Sequence, residues 1–466
     1  MDKLKTYHKT ISARYARFIY TNNYVALLTL LSVIAFIFDL EIYMIFFLTI
    51  VFAVHLILVR DLLPIFLPLL LIGMVPLKRY GEVDYFYPVL LYTLIYMVPA
   101  FILRGFIFPI KLIKGRFFYP TLAVSASIIL GGLFSISIED YFALRSIYYV
   151  IFLGPMMVFF YIILEHDLPK RRDMGEYLAK IFLGIGVMGV SMFILSLVKD
   201  PSLVDENFPR SIFQWNNNVS NNLLLALPFP FYLALKRRHP MIYFSIGIMI
   251  FITLIFMFSR GGMLMAMGVF PLTFFATLYL SGRNRLKLFG DFLVMMIVIL
   301  ALLRIFVGSI PEIIDAMIEN VTISSTESRA LMYRYAIEVF LKYPLFGTGL
   351  GHDVQYYNPQ PMAMFWYHST VFQIIGSLGL AGIIAYTYQM LMRGKTLIEV
   401  KSKFNLYVFF SILGFAGYSL VNVGYFIPLP FGPTLIMIFI ITKRLNDFYL
   451  TDLTYREKET IKNVAI

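Results

Sequence analysis

Apolar runs close to the length of a membrane-spanning helix follow one another along most of the chain, separated mainly by short polar turns. A helix needs about 20 apolar residues to cross the hydrocarbon core of a bilayer. The strict alternation of apolar and polar residues that is typical of lipid-facing strands is not evident. The pattern predicts an all-α polytopic membrane bundle with candidate spans at residues 24–38, 41–58, 62–77, 86–103, 119–137, 142–164, 177–198, 219–235, 241–258, 261–280, 288–308, 368–391, 404–422 and 426–442.

The first two candidate spans are short and can pair as a hairpin, so we expect about 12 to 14 transmembrane helices. Either number is even, which places both chain termini on the same side of the membrane.

The same pattern divides the chain into five regions. Residues 1–23 form a basic leader, interpreted as part of a retained signal anchor because no small-residue cleavage site is evident. Residues 24–308 form a transmembrane bundle, and residues 368–442 form the C-terminal transmembrane helices. Residues 309–367 form a large extracytoplasmic loop between these two regions, and residues 443–466 form a cytoplasmic tail.

The large loop contains segments with helical periodicity. The sequence PEIIDAMIEN (311–320) predicts a short helix, and residues 325–344 predict a longer, amphipathic one. Arg334, Glu338 and Lys342 follow one another at the i, i+4 spacing of a charged ladder on one face. The apolar stripe on another face consists of Ala330, Tyr333, Ile337, Phe340 and Leu341. We expect this helix to lie on the outer membrane face.

Composition and charge support the membrane class and suggest the orientation. The chain is 60% hydrophobic and 14% charged, whereas soluble proteins average about 45–50% apolar and about 25% charged residues. Of the 39 lysines and arginines, 28 fall on the side of the termini, eight on the opposite side and three within spans. The positive-inside rule then places both termini in the cytoplasm. The net charge of +12 therefore reflects topology and attraction to anionic lipid, and we expect no nucleic-acid partner.

Four basic residues stand out on the outer side, where the positive-inside bias disfavours them: Arg210, Arg260, Arg329 and His368. Taken singly, each is explained by a snorkelling side chain or a salt bridge at the rim. Taken together, they flank the two long outer loops, residues 199–218 and 309–367, and predict an anion site, because guanidinium groups bind pyrophosphate bidentately. A histidine with the ordinary pKa of about 6.5 can accept a proton from a hydroxyl.

Five asparagines gather where the span after Arg210 begins: Asn216, Asn217, Asn218, Asn221 and Asn222. Because amides facing lipid are costly, these side chains either cap the helix or face a wet cavity, in which sugar hydroxyls would be suitable partners. Asn217, Asn218 and Asn221 are the candidate glycan-binding residues.

The sequence offers no sign of a metal or cofactor. It has no cysteine, no HExxH motif and no close pair of histidines. The glycine-rich stretch FGTGLGHD (346–353) lacks both the preceding strand and the GK[ST] of a nucleotide-binding loop, and a tight turn is the better interpretation.

Four segments, in order, resemble the O-antigen ligase and Wzy-type polymerase superfamily of bacterial envelope glycan enzymes, over roughly residues 205–385. They are RSIFQWNNNVSNNLLLALPFP, FSRGGMLMA, SRALMYRYAIEVFLKYPLFGTGLG and YHSTVFQIIGSLGLAG. They are similar, respectively, to the family's arginine–aromatic–asparagine segment, its Ser-Arg-Gly turn, its arginine helix ending in Pro-Leu-x-Gly-x-Gly, and its His-Asn helix start. Ser369 stands where the family usually has asparagine after the histidine, and Val371 and Phe372 replace a leucine pattern.

The resemblance implies a membrane glycosyltransferase that uses neither a nucleotide sugar nor a metal. The donor would be a glycan on undecaprenyl pyrophosphate, and the acceptor a hydroxyl of a glycan or lipid-linked glycan, at the outer face of the bacterial cytoplasmic (inner) membrane. The family's arginines, carried onto Arg210 and Arg329, would hold the pyrophosphate, and Arg260 matches a further motif position. The family's histidine, carried onto His368, would deprotonate the acceptor, and attack opposite the leaving group would invert the anomeric centre.

Alternatives stay open at this point. Within the family, a polymerase extends another lipid-linked repeat, whereas a ligase transfers onto a different acceptor. From another class, a lipid-linked oligosaccharide or polysaccharide flippase would be favoured by inverted repeats or broken helices at matching positions, and neither is clear. Arg145, Lys180 and Arg304 are the only lysines and arginines within the candidate spans. A purely structural subunit would leave the outer arginines without a role.

Overall fold

The computed structural model describes residues 2–464 except for 75–82, 136–140, 143, 200–215, 238, 258, 308–324, 351–366 and 428–429. Arg210, the predicted short helix at 311–320 and most of the predicted loop 309–367 therefore lie outside the described residues.

The described residues form helices and turns, with no β-strand among them. The α-helices are α1 (Asp2–Ile19), α2 (Asn22–Ile37), α3 (Glu41–Leu58), α4 (Phe66–Met74), α5 (Val83–Ile107), α6 (Phe118–Leu130), α7 (Leu144–Leu153), α8 (Pro155–Asp167), α9 (Met174–Lys199), α10 (Asn216–Ala226), α11 (Pro228–Ala234), α12 (Pro240–Phe256), α13 (Arg260–Leu280), α14 (Arg285–Val307), α15 (Ser325–Lys342), α16 (Thr370–Ile398), α17 (Lys403–Ser419) and α18 (Phe431–Val464). The predicted all-α class is confirmed.

Several described helices are long and apolar enough to cross a membrane. Five stretches meet both criteria: α3, Ser146–Asp167, Met174–Ser196, α13 and α16. The pair Ile11–Ile19 and Asn22–Ile37, bent by 74°, is a sixth if it counts as one span. Other predicted spans coincide with shorter apolar helices, such as α6 and α12. These helices support the prediction of a polytopic membrane protein.

Two predicted spans are each divided into two helices at a proline. The candidate span 142–164 becomes α7 and α8, and α8 begins at Pro155. The candidate span 219–235 becomes α10 and α11, and α11 begins at Pro228. Proline has no N–H to donate to the preceding turn, but it is well accommodated at the first position of a helix. Apolar composition alone does not reveal such a break.

The chain packs into two compact units. The first unit comprises Met1–Pro109, Glu176–Ile323 and Tyr407–Tyr418. The second unit comprises Ile110–Gly175, Ser324–Leu406 and Ser419–Ile466. Each unit combines three segments that are distant in sequence, so non-local packing builds both cores.

Aromatic rings fill much of the core of the first unit. Phe274 and Phe292 are stacked with their centroids 3.8 Å apart, and Phe231 meets Phe270 edge to face at 5.7 Å. Such pairs stabilise by about 0.5–1.5 kcal/mol beyond the burial of their area. Gly247 lets α11 and α12 approach closely, because a Cβ there would lie 2.5 Å from the Phe231 ring.

In the first unit, a buried arginine on one helix caps the end of another. Arg104 on α5 donates from Nη1 to the carbonyl oxygens of Leu56 at 3.0 Å and Val59 at 2.9 Å, and from Nη2 to that of Arg60 at 2.6 Å. These carbonyls lie at the end of α3, where an α-helix has no partners of its own to offer. The cation also complements the negative end of the helix dipole. Arg104 therefore acts as a helix cap.

The second unit uses the same arrangement at the end of α8. Arg444 on α18 donates to the carbonyl oxygens of Glu165, Leu168 and Pro169, the last at 3.1 Å. Its Nη2 also lies 3.7 Å from the Glu165 carboxylate.

Helix α16 breaks at Gly379, and the turn after α15 restores the hydrogen bonds lost at the break. Gly379 has φ 58° and ψ −150°, a conformation that side chains disfavour. Residues on both sides of the break pair with the turn at 344–349 through four main-chain hydrogen bonds. These are Thr348 N–H to Gly376 O (3.0 Å), Gly349 N–H to Ser377 O (2.8 Å), Leu380 N–H to Pro344 O (2.8 Å) and Ala381 N–H to Leu345 O (3.0 Å). We call this set of four bonds the backbone clip.

Glycines make the backbone clip possible. Gly347, with φ +61°, approaches α16 so closely that a Cβ would lie 2.4 Å from the Gly376 carbonyl oxygen. A Cβ on Gly379 would lie 2.6 Å from the Pro344 carbonyl oxygen. The glycine-rich stretch after α15 is thus a tight turn as far as Leu350, as the sequence predicts.

Helix α15 confirms the predicted longer helix of the large loop. Ala336 and Val339 are buried, whereas Ile337 and Leu341 from the predicted apolar stripe are 46% and 74% exposed. The predicted charged ladder is wrong in one respect: its three residues are exposed but form no ion pair with one another, namely Arg334, Glu338 and Lys342. Exposed pairs gain little from contact because holding two long side chains together loses entropy.

We expect Gly379→Ala to destabilise the second unit. The new Cβ would meet the Pro344 carbonyl in a backbone conformation that alanine rarely adopts, so the loss should exceed about 1 kcal/mol. Thermal unfolding of the purified protein in detergent measures the effect.

Gly394→Ala is the matched control in the same helix, because a Cβ there meets nothing within 4 Å. It should leave the unfolding temperature unchanged or raise it slightly. Equal unfolding temperatures for both variants would refute the structural role of the break.

Candidate functional site

His368 lies in the second unit, two residues before α16 begins, and its backbone is strained. Its φ of 50° is in the left-handed region, which residues other than glycine adopt rarely. Such conformations persist only where the surroundings enforce them, and they are enriched at functional sites. The imidazole is half-buried.

Hydrogen bonds hold the backbone on both sides of His368. On one side, Tyr367 N–H donates to Gln373 Oε1 at 3.0 Å, and Gln373 Nε2 donates to Ser377 Oγ at 2.9 Å. On the other side, Thr370 donates to the Asn422 carbonyl oxygen from its N–H at 2.9 Å and from its hydroxyl at 3.2 Å. Gln373 and Ser377 belong to the part of α16 that enters the backbone clip, so the clip and His368 share one support.

Helix α15 brings Arg329 and Tyr333 to the same place. Tyr333 follows Arg329 by one helical turn, and its ring stacks on Phe372 with centroids 4.1 Å apart and 8° between the planes. The Tyr333 hydroxyl donates a long hydrogen bond of 3.4 Å to the His368 carbonyl oxygen. Tyr333 therefore links the helix that carries the arginine to the residue that carries the imidazole.

The electrostatics of the pair favour a neutral imidazole. Burial lowers the pKa of His368 below its ordinary value of 6.5, and the positive charge of Arg329 lowers it further. The pKa of the Tyr333 hydroxyl is raised by burial, and the Arg329 charge offsets part of that shift. At neutral pH, His368 is thus poised to accept a proton, next to a cation that can bind an anion.

Ser369, where the family usually has asparagine, adds an unsatisfied group beside His368. Its side chain is buried, and its Oγ has no hydrogen-bond partner among the described residues. A buried hydroxyl without a partner is destabilising by about 1–3 kcal/mol. Buried polar groups left in this state usually have a water or ligand as partner.

The first unit contains a separate polar cluster at the start of α10 and α13. Asn217 Oδ1 accepts hydrogen bonds from the Tyr418 hydroxyl at 2.6 Å and from Ser259 Oγ at 3.2 Å. The Ser259 and Tyr418 hydroxyls are themselves 3.0 Å apart. Ser259 immediately precedes Arg260, which is the half-buried first residue of α13. Asn217 and Arg260 thus belong to neighbouring helix starts in one unit.

Two further amides of the asparagine cluster are buried inside the first unit. Asn222 Nδ2 donates to the Asn218 carbonyl oxygen at 3.1 Å. Asn221 is completely buried, and neither atom of its amide has a hydrogen-bond partner among the described residues. Its side chain therefore does not cap the helix. Its amide needs hydrogen-bond partners of the kind that water or a bound ligand provides.

The predicted site residues fall into three groups. Arg329 and His368 come together in the second unit. Arg260 and the three asparagines Asn217, Asn218 and Asn221 lie in the first unit, and Arg210 lies outside the described residues. Among the residues that the structure describes, no group of three or more histidines and acidic residues could hold a metal ion.

Sequence reasoning assigned Tyr333 only to an apolar stripe and did not single out Gln373. Two signals were present. Tyr333 follows Arg329 at the i, i+4 spacing that brings side chains together on one helix face. Gln373 is a polar residue inside an apolar span, and such residues usually face the protein interior and carry a structural or functional role.

We expect Arg329→Gln to raise the pKa of His368, because a neighbouring cation disfavours the protonated imidazole. Histidine-selective carbon-13 labelling gives the titration, and the missing signal of His368→Gln identifies the resonance. In the wild type the midpoint should lie below 6.5.

Arg334→Gln is the control, since Arg334 is exposed on the same helix. This variant should leave the titration unchanged. A midpoint that moves equally in both variants would show that net charge, rather than the neighbouring guanidinium, sets the pKa.

Comparison with known families supports the resemblance. The family model described as O-Antigen ligase matches residues 244–387, less than a third of the chain. The matched region contains Arg260, Arg329 and His368, whereas Arg210 and the asparagine cluster precede it. No curated protein and no solved structure matches the chain significantly. The resemblance to the O-antigen ligase and Wzy-type polymerase superfamily is thereby confirmed, and residues 244–387 are the part of the chain that is similar to the O-antigen ligase model.

Proposed function

We propose that this membrane protein transfers a glycan from an undecaprenyl-pyrophosphate donor to an acceptor hydroxyl at the outer face of the cytoplasmic membrane. The observation that carries the proposal is the pairing of Arg329 with a half-buried His368 of lowered pKa, within the matched region. The Arg329 guanidinium is suited to bind a pyrophosphate, and the His368 imidazole is suited to accept a hydroxyl proton. A glycosyl transfer from pyrophosphate requires both.

In the proposed reaction, the acceptor hydroxyl gives its proton to a ring nitrogen of His368. The acceptor oxygen forms a bond to the anomeric carbon as the bond from that carbon to the pyrophosphate oxygen breaks. The electron pair of the broken bond leaves with the pyrophosphate, where negative charge increases. Arg329 stabilises that charge more strongly in the transition state than in the ground state, which is the condition for catalysis. The step inverts the anomeric centre and involves no metal.

The remaining predicted residues have proposed roles that rest on residue type and on the family resemblance. Arg210 and Arg260 would bind the pyrophosphate, and the asparagines Asn217, Asn218 and Asn221 would bind the glycan. The unsatisfied amide of Asn221 is compatible with a polar ligand.

Helix α15 suits a substrate that arrives in a bilayer. Its exposed apolar side chains Ala330, Ile337 and Leu341 lie on a different face from the buried Ala336 and Val339. We propose that the exposed face rests on the outer leaflet. Arg329, at the start of this helix, would then lie at the level of lipid phosphates.

Lys180, a basic residue within a candidate span, has a structural explanation and does not require a transport pathway. Lys180 lies 3.4 Å from Glu176 at i, i+4 spacing, and Glu176 also accepts a hydrogen bond from Arg237. This ion-pair network near the start of α9 favours the enzyme over the flippase.

A reconstituted turnover assay tests the proposal with purified protein, a lipid-pyrophosphate-linked oligosaccharide and EDTA. His368→Ala should lower the rate by about 10²–10⁴-fold through loss of the general base. Arg329→Ala should lower it by roughly 10²–10³-fold, as when one stabilising donor is removed from a transition state. Arg334→Ala, an exposed neighbour on the same helix, should retain the wild-type rate.

The product separates the remaining alternatives. A ladder of products indicates a polymerase, and a single addition to a foreign acceptor indicates a ligase. Movement of the lipid across the membrane without a new glycosidic bond would overturn the proposal in favour of the flippase. Full activity of His368→Ala would refute the role of the histidine.

A further inference from the structure

Arg393 is a cation buried inside the second unit without an acidic partner. It lies on α16, five residues before the helix ends at Ile398, and only 8% of its surface is exposed. A long basic side chain near a helix end normally extends to water. Arg393 does not, so its charge must be balanced within the protein.

Other arginines among the described residues, either buried or half-buried, show how such a charge is balanced. Arg104 and Arg444 each donate to carbonyl oxygens at a helix end, and Arg116 pairs with the Glu399 carboxylate at 2.7 Å. Arg393 instead faces aromatic rings, with its Cζ 5.1 Å from the centroid of Phe439 and 5.7 Å from that of Tyr425.

Ring faces attract a cation, but they do not neutralise it. Nη1 of Arg393 has no hydrogen-bond partner among the described residues, and no ion pair joins this residue to any of their carboxylates. A buried guanidinium in this state is strongly unfavourable unless an anion accompanies it. The second unit thus contains an unbalanced positive charge beside a small cavity.

The cavity next to Arg393 is lined by polar groups that can donate hydrogen bonds. Its volume is about 40 Å³, and its lining includes Thr121, Tyr386 and Gln389 in addition to Arg393. None of these three side chains hydrogen-bonds to a described residue. With Tyr425, which also lines the cavity, three hydroxyls, an amide and a guanidinium share one small space, and no carboxylate of a described residue lines it.

We infer that this cavity is a binding site for one monovalent inorganic anion, of which chloride is the available example. A single arginine supplies one positive charge, so a multivalent anion would leave excess negative charge buried. The volume admits an ion or a few waters, but not a sugar or a lipid headgroup. Bound there, the anion accepts hydrogen bonds from Nη1 and from the neighbouring donors. It thereby joins α6, α16 and α18, to which Thr121, Arg393 and Phe439 belong.

The test is the thermal unfolding of the purified full chain in sodium chloride and in sodium gluconate at equal ionic strength. Gluconate is too large for the cavity and serves as the inert anion. Chloride should raise the unfolding temperature in a saturable manner, by about 3 °C at a concentration well above the dissociation constant. Arg393→Gln should abolish the difference between the two salts.

Arg172→Gln is the matched control, because it removes an equal charge from an exposed residue of the same unit. It should keep the full chloride response. If Arg393→Gln does not fold, Gln389→Leu replaces it, since this variant keeps the cation but loses one donor and should weaken the response several-fold.

Three results would overturn the inference. Equal unfolding temperatures of the wild type in the two salts would show that water alone fills the cavity. A chloride response that survives in Arg393→Gln would place the anion elsewhere. A response of Gln389→Leu equal to that of the wild type would exclude the proposed lining.

Discussion

A polypeptide inside a membrane must satisfy its own backbone hydrogen bonds, because lipid offers no donors or acceptors. The simplest solution is an uninterrupted α-helix, and α16 departs from it by breaking at Gly379. The backbone clip restores what the break removes, since α16 and the turn after α15 each contribute two N–H groups and two carbonyls. The clip holds the turn after α15 against α16. The start of α16 supports the strained backbone of His368. The position of the imidazole near Arg329 therefore depends on these main-chain hydrogen bonds together with the side-chain bonds of Gln373, Thr370 and Tyr333.

Buried and half-buried arginines are the second organising element. Arg104 and Arg444 satisfy carbonyl oxygens at the ends of α3 and α8, and Arg116 pairs with Glu399. A single residue type thus serves as helix cap, as ion-pair partner and, at Arg329, as the candidate anion-binding group. In each case the planar array of N–H donors matters as much as the charge. These arginines consequently meet structural requirements of the fold itself.

The sequence predicted the helices well and the irregular features poorly. Every candidate span that hydrophobic periodicity predicted overlaps one or two described helices. The spacing within residues 325–344 predicted α15. The closeness of Arg329 and His368 could be expected because both flank one loop. The divisions at Pro155 and Pro228 can be predicted only if a proline within a continuous apolar run is considered as a possible helix start. The break at Gly379 has no periodic signature, since its partners lie some thirty residues earlier in the chain.

The chain leaves the described part of the second unit at Leu350 and re-enters it at Tyr367, and both residues are 1% exposed. Ser146 Oγ holds the Leu350 carbonyl at 2.8 Å, and Gln373 holds the Tyr367 N–H. Both points are therefore fixed by contacts with other described residues of the second unit. The hydrogen bonds that support His368 come from residues outside 351–366, so substitutions within 351–366 can change the chemistry of that segment while the described scaffold keeps Arg329 and His368 in place.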